Sequence, residues 1–416
     1  MAYIEVDGGN MLQGEINIQG SKNAVLPILA ASVLNVGTVT LRNCPQIGDV
    51  ENMLQLLTHL GCQVNWQGDC ITINTESICS CELEEQYAKA MRSSVFFMGA
   101  LLGRLGCVKI PYPGGCSIGA RPIDIHLQAL RQMDVEIEEL ETEIACQCNR
   151  MKGANIVLQF PSVGATENII MAAVNASGVT VIENGAREPE IEELCCFLQK
   201  MGAEIYYDHQ GMIVIVGGKE LSDVEYTISS DRIVAGSYLA AAAGTGGEVT
   251  LWADCGANLG ALFGVLEQIG CQIVFDSDKI YMKAPLLKQA VPYIVTKPYP
   301  GFPTDMQSQI TAILSTAVGT SIMEETIFES RYENVKELRK MGADIIVDGR
   351  IAKIYGVSQL YGTDVYAHDL RGGAALVIAG LMAEGTTRIY GVPYIERGYE
   401  DICSAFCQLG AKVRYC

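Results

Sequence analysis

The sequence predicts an α/β protein of two domains, each assembled from three copies of one unit. Three observations carry this expectation: the chain length, a repeat with a period of about 70 residues, and the alternation of apolar helices with short strands. At 416 residues the chain suits two domains. A helix-like stretch that closes on M/L-G-A/C and runs into a strand pattern recurs along it. The copies are LLTHLGCQVNW (56–66), LQALRQMDVEIE (127–138), LCCFLQKMGAEIYY (194–207), LFGVLEQIGCQIVF (262–275), ELRKMGADIIV (337–347) and CSAFCQLGAKVRY (403–415). Gly61, Gly202, Gly270, Gly342 and Gly410 stand at the left-handed position that follows many helices, and Asp134 takes that place in the second copy.

A second helix precedes these and is followed by glycine and a strand. Examples are ILAASVLNVGTVTL (28–41), IIMAAVNASGVTVI (169–182), YLAAAAGTGGEVTL (238–251) and LVIAGLMAEGTTRIY (376–390). They are apolar almost all round, the mark of a helix buried in a core, whereas the first type is amphipathic. Each unit then holds two helices and about four strands. The last unit reaches Cys416 without its final strand, and YIEVDGG (3–9) resembles the missing piece, MIVIVGG (212–218), of the third. The N-terminus is therefore expected to complete the sixth unit. Domain one is expected over residues 21–229, including a loop at 113–122, and domain two over 1–20 and 230–416, so the chain crosses twice between them.

Composition narrows the function. Hydrophobic residues make up 49% of the chain, enough for large cores. No apolar run reaches the ~18 residues of a membrane span, and the N-terminus lacks the pattern of a signal peptide. Sixteen cysteines in that context read as reduced thiols of a cytoplasmic protein, most of them buried as small hydrophobes. With four histidines, no metal site is expected. A net charge of −19 argues against nucleic acid or an anionic membrane as partner, and no obligate protein partner is expected. Small anionic substrates stay open if basic groups gather locally.

The starts of the buried helices supply such groups. They read SKNA (21–24), MRSS (91–94), SVGATE (162–167), SDRI (230–233), FPTD (302–305) and LRGG (370–373), placing Lys22, Arg92, Arg232, Asp305 and Arg371 at similar points of the repeat. Free N–H groups and the helix dipole make such ends natural anion sites. For Arg232 the simpler reading is a solvated neighbour of an N-cap, and FPTD by itself reads as an N-cap aspartate. For Lys22 and Arg371 the adjoining amide or glycines favour ligand contact. The loop PGGCSIGARPID (113–124) sets Cys116 after two glycines and five residues before Arg121. A thiol near a guanidinium in such a loop suggests chemistry on an anion, although a surface turn with a chance cysteine fits composition alone.

Nine motifs in order resemble the enolpyruvyl transferases that act on UDP-N-acetylglucosamine: GSKNAVLPILAA, MRSS, PGGCSIGARPID, SVGATEN, NGAREPEI, GFPTDMQSQ, FESRYENVKELRKMGA, DLRGGAAL and IERGYEDI. The resemblance covers the whole chain. It implies two inside-out α/β barrel domains, each of three βαβαββ units, which agrees with the six internal repeats. It implies transfer of the enolpyruvyl group of phosphoenolpyruvate to the sugar 3′-hydroxyl with loss of phosphate, and no metal or organic cofactor. By the same resemblance Lys22, Arg121 and Arg397 clamp phosphoenolpyruvate, with Asn23 beside Lys22. Arg92, Arg121, Pro122, Ile123, Asp124, Ile125, Pro161, Ser162, Val163, Gly164, Asp305 and Ile327 form the nucleotide-sugar site. Asp305 suits the general base, and Arg331 and Arg371 add positive charge. Cys116 matches the family's loop thiol, as proton donor to C3 or as nucleophile at C2, and implies sensitivity to epoxide inhibitors. Glu190 is read as structural. Phe160 stands where some members carry a lysine and cannot pair with a diphosphate. The shikimate-phosphate type of enolpyruvyl transferase is the alternative, and the loop string favours the sugar-nucleotide type.

Overall fold

The computed structural model describes residues 2–114, 118–119 and 122–416. The chain divides into two compact units: a first unit of residues 20–229 without 116–120, and a second built on residues up to Gln19 and Ser230–Cys416. The 113–122 loop was expected wholly in the first. Its described residues Ile118 and Gly119 instead group with the second, where Ser330 N–H donates to the Ile118 carbonyl at 3.0 Å.

Among the described residues, each unit places three apolar helices inside and three sheets around them. In the first unit the buried helices are Lys22–Ala31, Phe97–Leu105 and Val163–Val174; in the second they are Arg232–Thr245, Gln307–Leu314 and Leu370–Met382. Their sequences are mostly apolar, and the polar side chains of Gln307–Leu314 are buried with the rest, so burial on nearly every side removes their apolar surface from water. Close crossing needs small residues. A Cβ at Gly99 would lie 2.2 Å from the Asn168 carbonyl, so only glycine lets Phe97–Leu105 approach Val163–Val174 this closely.

All six sheets repeat one plan. One strand arrives parallel to a second, the second pairs antiparallel with a third, and the third antiparallel with a fourth. Val224–Thr227, Thr38–Arg42, Cys70–Asn74 and Gln63–Gln67 follow it in the first unit. Ile294–Val295, Thr320–Glu324, Ile351–Tyr355 and Asp344–Asp348 follow it in the second. In the sheet of Cys107–Pro111, Glu143–Gln147 and Glu136–Glu139, the arriving parallel strand shrinks to a bridge between Glu82 and Lys109.

The N-terminus completes the sixth repeat, as its likeness to residues 212–218 predicts. Tyr3–Asp7 lies between Thr386–Tyr390 and Lys412–Tyr415, antiparallel to both. Ile213–Val216 holds the same place between Val179–Glu183 and Glu204–Tyr207. The helix ends behave as read. Gly61, Gly202, Gly270, Gly342 and Gly410 have φ of 102°, 111°, 112°, 96° and 87°, and Asp134 adopts φ 64° in the second copy.

Candidate active site

In the second unit Asp305 lies in a short 3-10 turn, Thr304–Met306, that leads into the buried helix Gln307–Leu314. It is not the N-cap that FPTD alone suggests. Its Oδ1 accepts from Arg331 Nη2 at 2.7 Å and its Oδ2 from Arg371 Nη2 at 3.0 Å. The two arginine side chains are 3% and 4% exposed, while Asp305 keeps 27%. One carboxylate thus reaches solvent while two buried guanidiniums fix both its oxygens. Burial by itself pushes the Arg371 pKa down, but Asp305, Tyr399 and Asp231 together outweigh it and leave the group above its ordinary value. Arg331 Nε and Arg371 Nη1 are buried donors with no acceptor among the described residues. Buried donors are costly without acceptors, so this cluster suits an anionic ligand.

The supports of this cluster come from several elements. Asp369 caps the helix Leu370–Met382 by accepting from the N–H groups of Arg371 and Gly372 at 3.0 and 2.9 Å, which fixes the Arg371 backbone. Asn334, buried with both amide atoms unpartnered among the described residues, packs against Gly372. Arg397 is half-buried in the turn after the short helix Val392–Ile395. Gln19 ties that turn down, donating to the Gly398 carbonyl (3.1 Å) and accepting from Glu400 N–H (3.0 Å). Tyr399 OH lies 2.7 Å from Ser237 Oγ, which in turn accepts from Gln309 at 3.2 Å. Ile327 is half-buried, and its N–H donates to Glu325. Arg232 departs from expectation. It is 8% exposed and its guanidinium lies 5.8 Å from the Tyr299 ring centroid, because its cap, Asp231, sits at the buried end of a helix.

In the first unit Lys22 opens the helix Lys22–Ala31, whose N-cap Ser21 accepts from Ala24 N–H. Its Nζ lies 3.0 Å from the Asp49 carboxylate; the side chains are 13% and 2% exposed. Asp49 is a partner that the sequence gives no sign of, since it stands in an amphipathic helix among other polar residues. Asn23 follows Lys22 and is half-buried, as is Arg92 at the start of the 3-10 turn Arg92–Phe96. The segments around Ile123 and Ser162 are neighbours here. Helix Asp124–Gln132 begins after exposed Pro122 and buried Ile123, leaving Asp124 exposed and Ile125 half-buried. Pro161, Ser162, Val163 and Gly164 are all half-buried, and Ser162 caps Val163–Val174. Asn168 joins the segments: its Nδ2 is 2.9 Å from His126 Nδ1, while its Oδ1 accepts from Gly99 N–H at 2.7 Å. A side chain at Gly164 would meet the His126 ring at 3.1 Å. Phe160 is exposed, and Glu190 is buried in the first turn of Pro189–Met201, in line with a structural role. Cys116 and Arg121 lie outside the described residues.

The expectation that most cysteines are buried needs correction. Seven of the fifteen described are buried, and the other eight are half-buried or exposed, among them Cys70 and Cys107 on strands. All fifteen are free thiols. A cavity of about 440 Å³ lies in the first unit beside Gly103, Arg104, Met151 and Ser177, at the C-terminal ends of two buried helices, and holds none of the candidate residues.

The six-fold plan agrees with the family and fold of known proteins. The profile of the EPSP synthase family, 3-phosphoshikimate 1-carboxyvinyltransferase, matches residues 6–406. UDP-N-acetylglucosamine 1-carboxyvinyltransferase 2 of Caldanaerobacter subterraneus is 49% identical over 413 residues, covering 99% of both chains. The corresponding protein 1 of Symbiobacterium thermophilum is 45% identical, covering 98% of this chain and 94% of its own. That of Nitratidesulfovibrio vulgaris is 43% identical, covering 100% and 99%. Among solved structures, an enolpyruvyl transferase from Streptomyces tendae has a TM-score of 0.88 at 20% identity over 100% of this chain and 98% of its own. EPSP synthase from Acinetobacter baumannii has a TM-score of 0.75 at 17% identity over the whole of both chains; both likenesses concern the fold. Full-length identity at this level, on a fold of six like repeats, places the chain in the enolpyruvyl transferase family, alongside the UDP-N-acetylglucosamine 1-carboxyvinyltransferases.

Proposed function

We propose that this protein transfers the enolpyruvyl group of phosphoenolpyruvate to the 3′-hydroxyl of UDP-N-acetylglucosamine and releases phosphate, the first committed step of peptidoglycan precursor synthesis. The observation that carries the reading is the part-exposed Asp305 carboxylate fixed by two buried guanidiniums. It is what a general base for a hydroxyl needs: an acceptor whose orientation does not depend on the substrate.

The chemistry balances with groups of this chain alone. The sugar oxygen adds to C2 of the enolpyruvate as Asp305 takes the hydroxyl proton, and C3 gains a proton, for which Cys116 is the candidate donor. C3 then loses a proton and the C2–O bond to phosphate breaks, restoring the double bond. Lys22, Arg121 and Arg397 are assigned to the phosphate and carboxylate, which guanidinium forks and an ammonium match in charge. Asn23 supports Lys22 with an amide donor. Arg92, Arg121 to Ile125, Pro161 to Gly164 and Ile327 are assigned to the nucleotide sugar, and Arg331 and Arg371 to positive charge around Asp305. The free thiols suit a reducing compartment, and the reaction is assigned to the cytoplasm.

The deciding experiment is phosphate release from phosphoenolpyruvate with UDP-N-acetylglucosamine or 3-phosphoshikimate as acceptor. Turnover is expected with the first only. Turnover with 3-phosphoshikimate alone moves the protein to the other branch of the family, and no release with either removes the transferase reading.

A further inference from the structure

Glu325 is fully buried, yet its carboxylate accepts four hydrogen bonds. Oε1 takes Thr296 Oγ1 at 2.9 Å and the N–H groups of Ile327 and Phe328 at 2.8 and 3.0 Å. Oε2 takes Thr304 Oγ1 at 2.8 Å. A carboxylate this deep is costly unless its lone pairs are met, and here donors from three separate stretches of chain meet them.

Those donors lead to Asp305 by two routes. Thr304 immediately precedes it in the same 3-10 turn. Phe328 carries the ring that faces Arg331, 5.6 Å from guanidinium to centroid, and Arg331 bonds Asp305. Glu325, Thr304, Asp305, Arg331 and Phe328 therefore close a ring of contacts. Thr296 anchors the other end of the loop that delivers Thr304: its N–H donates to the Glu324 carbonyl and its Oγ1 accepts from Thr326 N–H, both at 2.9 Å.

We propose that Glu325 is a positioning residue for the transfer reaction. It holds the Asp305 turn and the Ile327 backbone in one register, so that base and nucleotide-sugar contact stay at a set separation. The proposal rests on the reading of Asp305 as the base. Glu325 touches no reacting atom and acts through Asp305.

Steady-state kinetics of the full chain with phosphoenolpyruvate and UDP-N-acetylglucosamine test it. Glu325→Asp shortens the arm by one methylene and cannot reach both Thr304 and the two amides. Its kcat should fall roughly 10²-fold, the scale of a misplacement near 1 Å, with the KM for phosphoenolpyruvate changed less than about threefold. Glu325→Gln keeps the reach: the amide oxygen accepts the Oε1 bonds and the amide N–H donates to Thr304, so turnover should stay within about threefold of native. Thr304→Val cuts one link only and serves if Glu325→Asp does not fold; about a tenfold loss is expected. In an Asp305→Asn background, Glu325→Asp should cost less than about twofold more, because the group it positions has lost its function. An equal loss in both backgrounds, a Glu325→Gln enzyme as slow as Glu325→Asp, or a Thr304→Val enzyme at native rate each overturns the proposal. An Asp305→Asn enzyme at native rate removes the base reading itself and the positioning role with it. A slow Asp305→Asn beside a fast Glu325→Asp sinks the positioning role alone.

Discussion

The two units share one plan but use the starts of their buried helices differently. The first caps two of them with neutral serines, Ser21 and Ser162; the second caps two with buried aspartates, Asp231 and Asp369. The first sets Lys22 part-exposed at a helix start, whereas the second buries Arg232 and Arg371. The contrast extends to their acids. Asp305 is held by two guanidiniums, while Glu167, in the first unit, is buried with Oε2 unpartnered among the described residues. The difference teaches that a repeated fold fixes where helix starts lie but not their charge balance. The second unit pairs Arg331 and Arg371 with one carboxylate, Asp305, which makes that carboxylate and its guanidiniums rigid. The first leaves its capped ends dipole-positive, which suits binding an anion from outside.

The sharpest way to break this comparison is to remove the acceptor on the rigid side. Asp305→Asn should bind both substrates yet turn over about 10²–10⁴-fold more slowly, the scale of a missing general base. Phosphate release under saturating substrates reads it. A loss of affinity at unchanged maximal rate would assign Asp305 to binding instead.

The next effect is selective labelling. Burial pushes the thiols of Cys44, Cys62, Cys146, Cys255, Cys271 and Cys403 up to about 12, so almost none of each is thiolate at neutral pH. An epoxide reagent followed by peptide mapping should find Cys116 modified as activity disappears. Cys116→Asp should keep turnover and lose the sensitivity. Full inactivation with Cys116 unmodified would remove the thiol from the mechanism.

The caps sharpen the contrast further. Ser21→Ala should cost about 1 kcal/mol, the usual scale for a lost N-cap. Asp369→Ala should cost more, about 3 kcal/mol, because it leaves the buried N–H groups of both Arg371 and Gly372 without their acceptor. Urea midpoints of the two variants against native protein decide it, and equal shifts would mean that the buried aspartate caps carry no extra load.

The smallest effect is a pH dependence of stability. Burial, with Glu190 and Glu188 nearby, raises Glu167 well above the ordinary carboxylate range. The folded state then binds a proton that the unfolded state releases at about pH 4.3. Stability is fully present below that value and falls as pH rises towards the folded pKa. Glu167→Gln removes the dependence, so the variant should melt a few degrees above native protein at pH 8, with the gap closing towards pH 5. A gap that does not change with pH would mean that Glu167 does not hold its proton.

Much of the fold was legible because it repeats. All-round apolar helices, glycines at one register and a likeness between residues 3–9 and 212–218 are local patterns, and they suffice to place the N-terminal strand in the last sheet. The charge balance was not legible. Nothing in GDVENM marks Asp49 as the partner of Lys22, and SDRI does not tell a solvated arginine from one buried over Tyr299. FPTD hides the pairing of Asp305 with Arg331 and Arg371, and Glu325 stands in a strand-to-loop stretch without any motif.

The sequence by itself determined the α/β class, the six repeats, the helix ends and the family, because these depend on periodicity, on backbone preferences and on motifs read in order. Only the tertiary structure decided which charges meet. Asp305, Arg331 and Arg371 come from three stretches of chain, and Glu325 is satisfied by donors from three stretches as well. The physical reason is that an ion pair or a buried hydrogen bond depends on separation and burial in space, and neither is written in the spacing of residues along the chain.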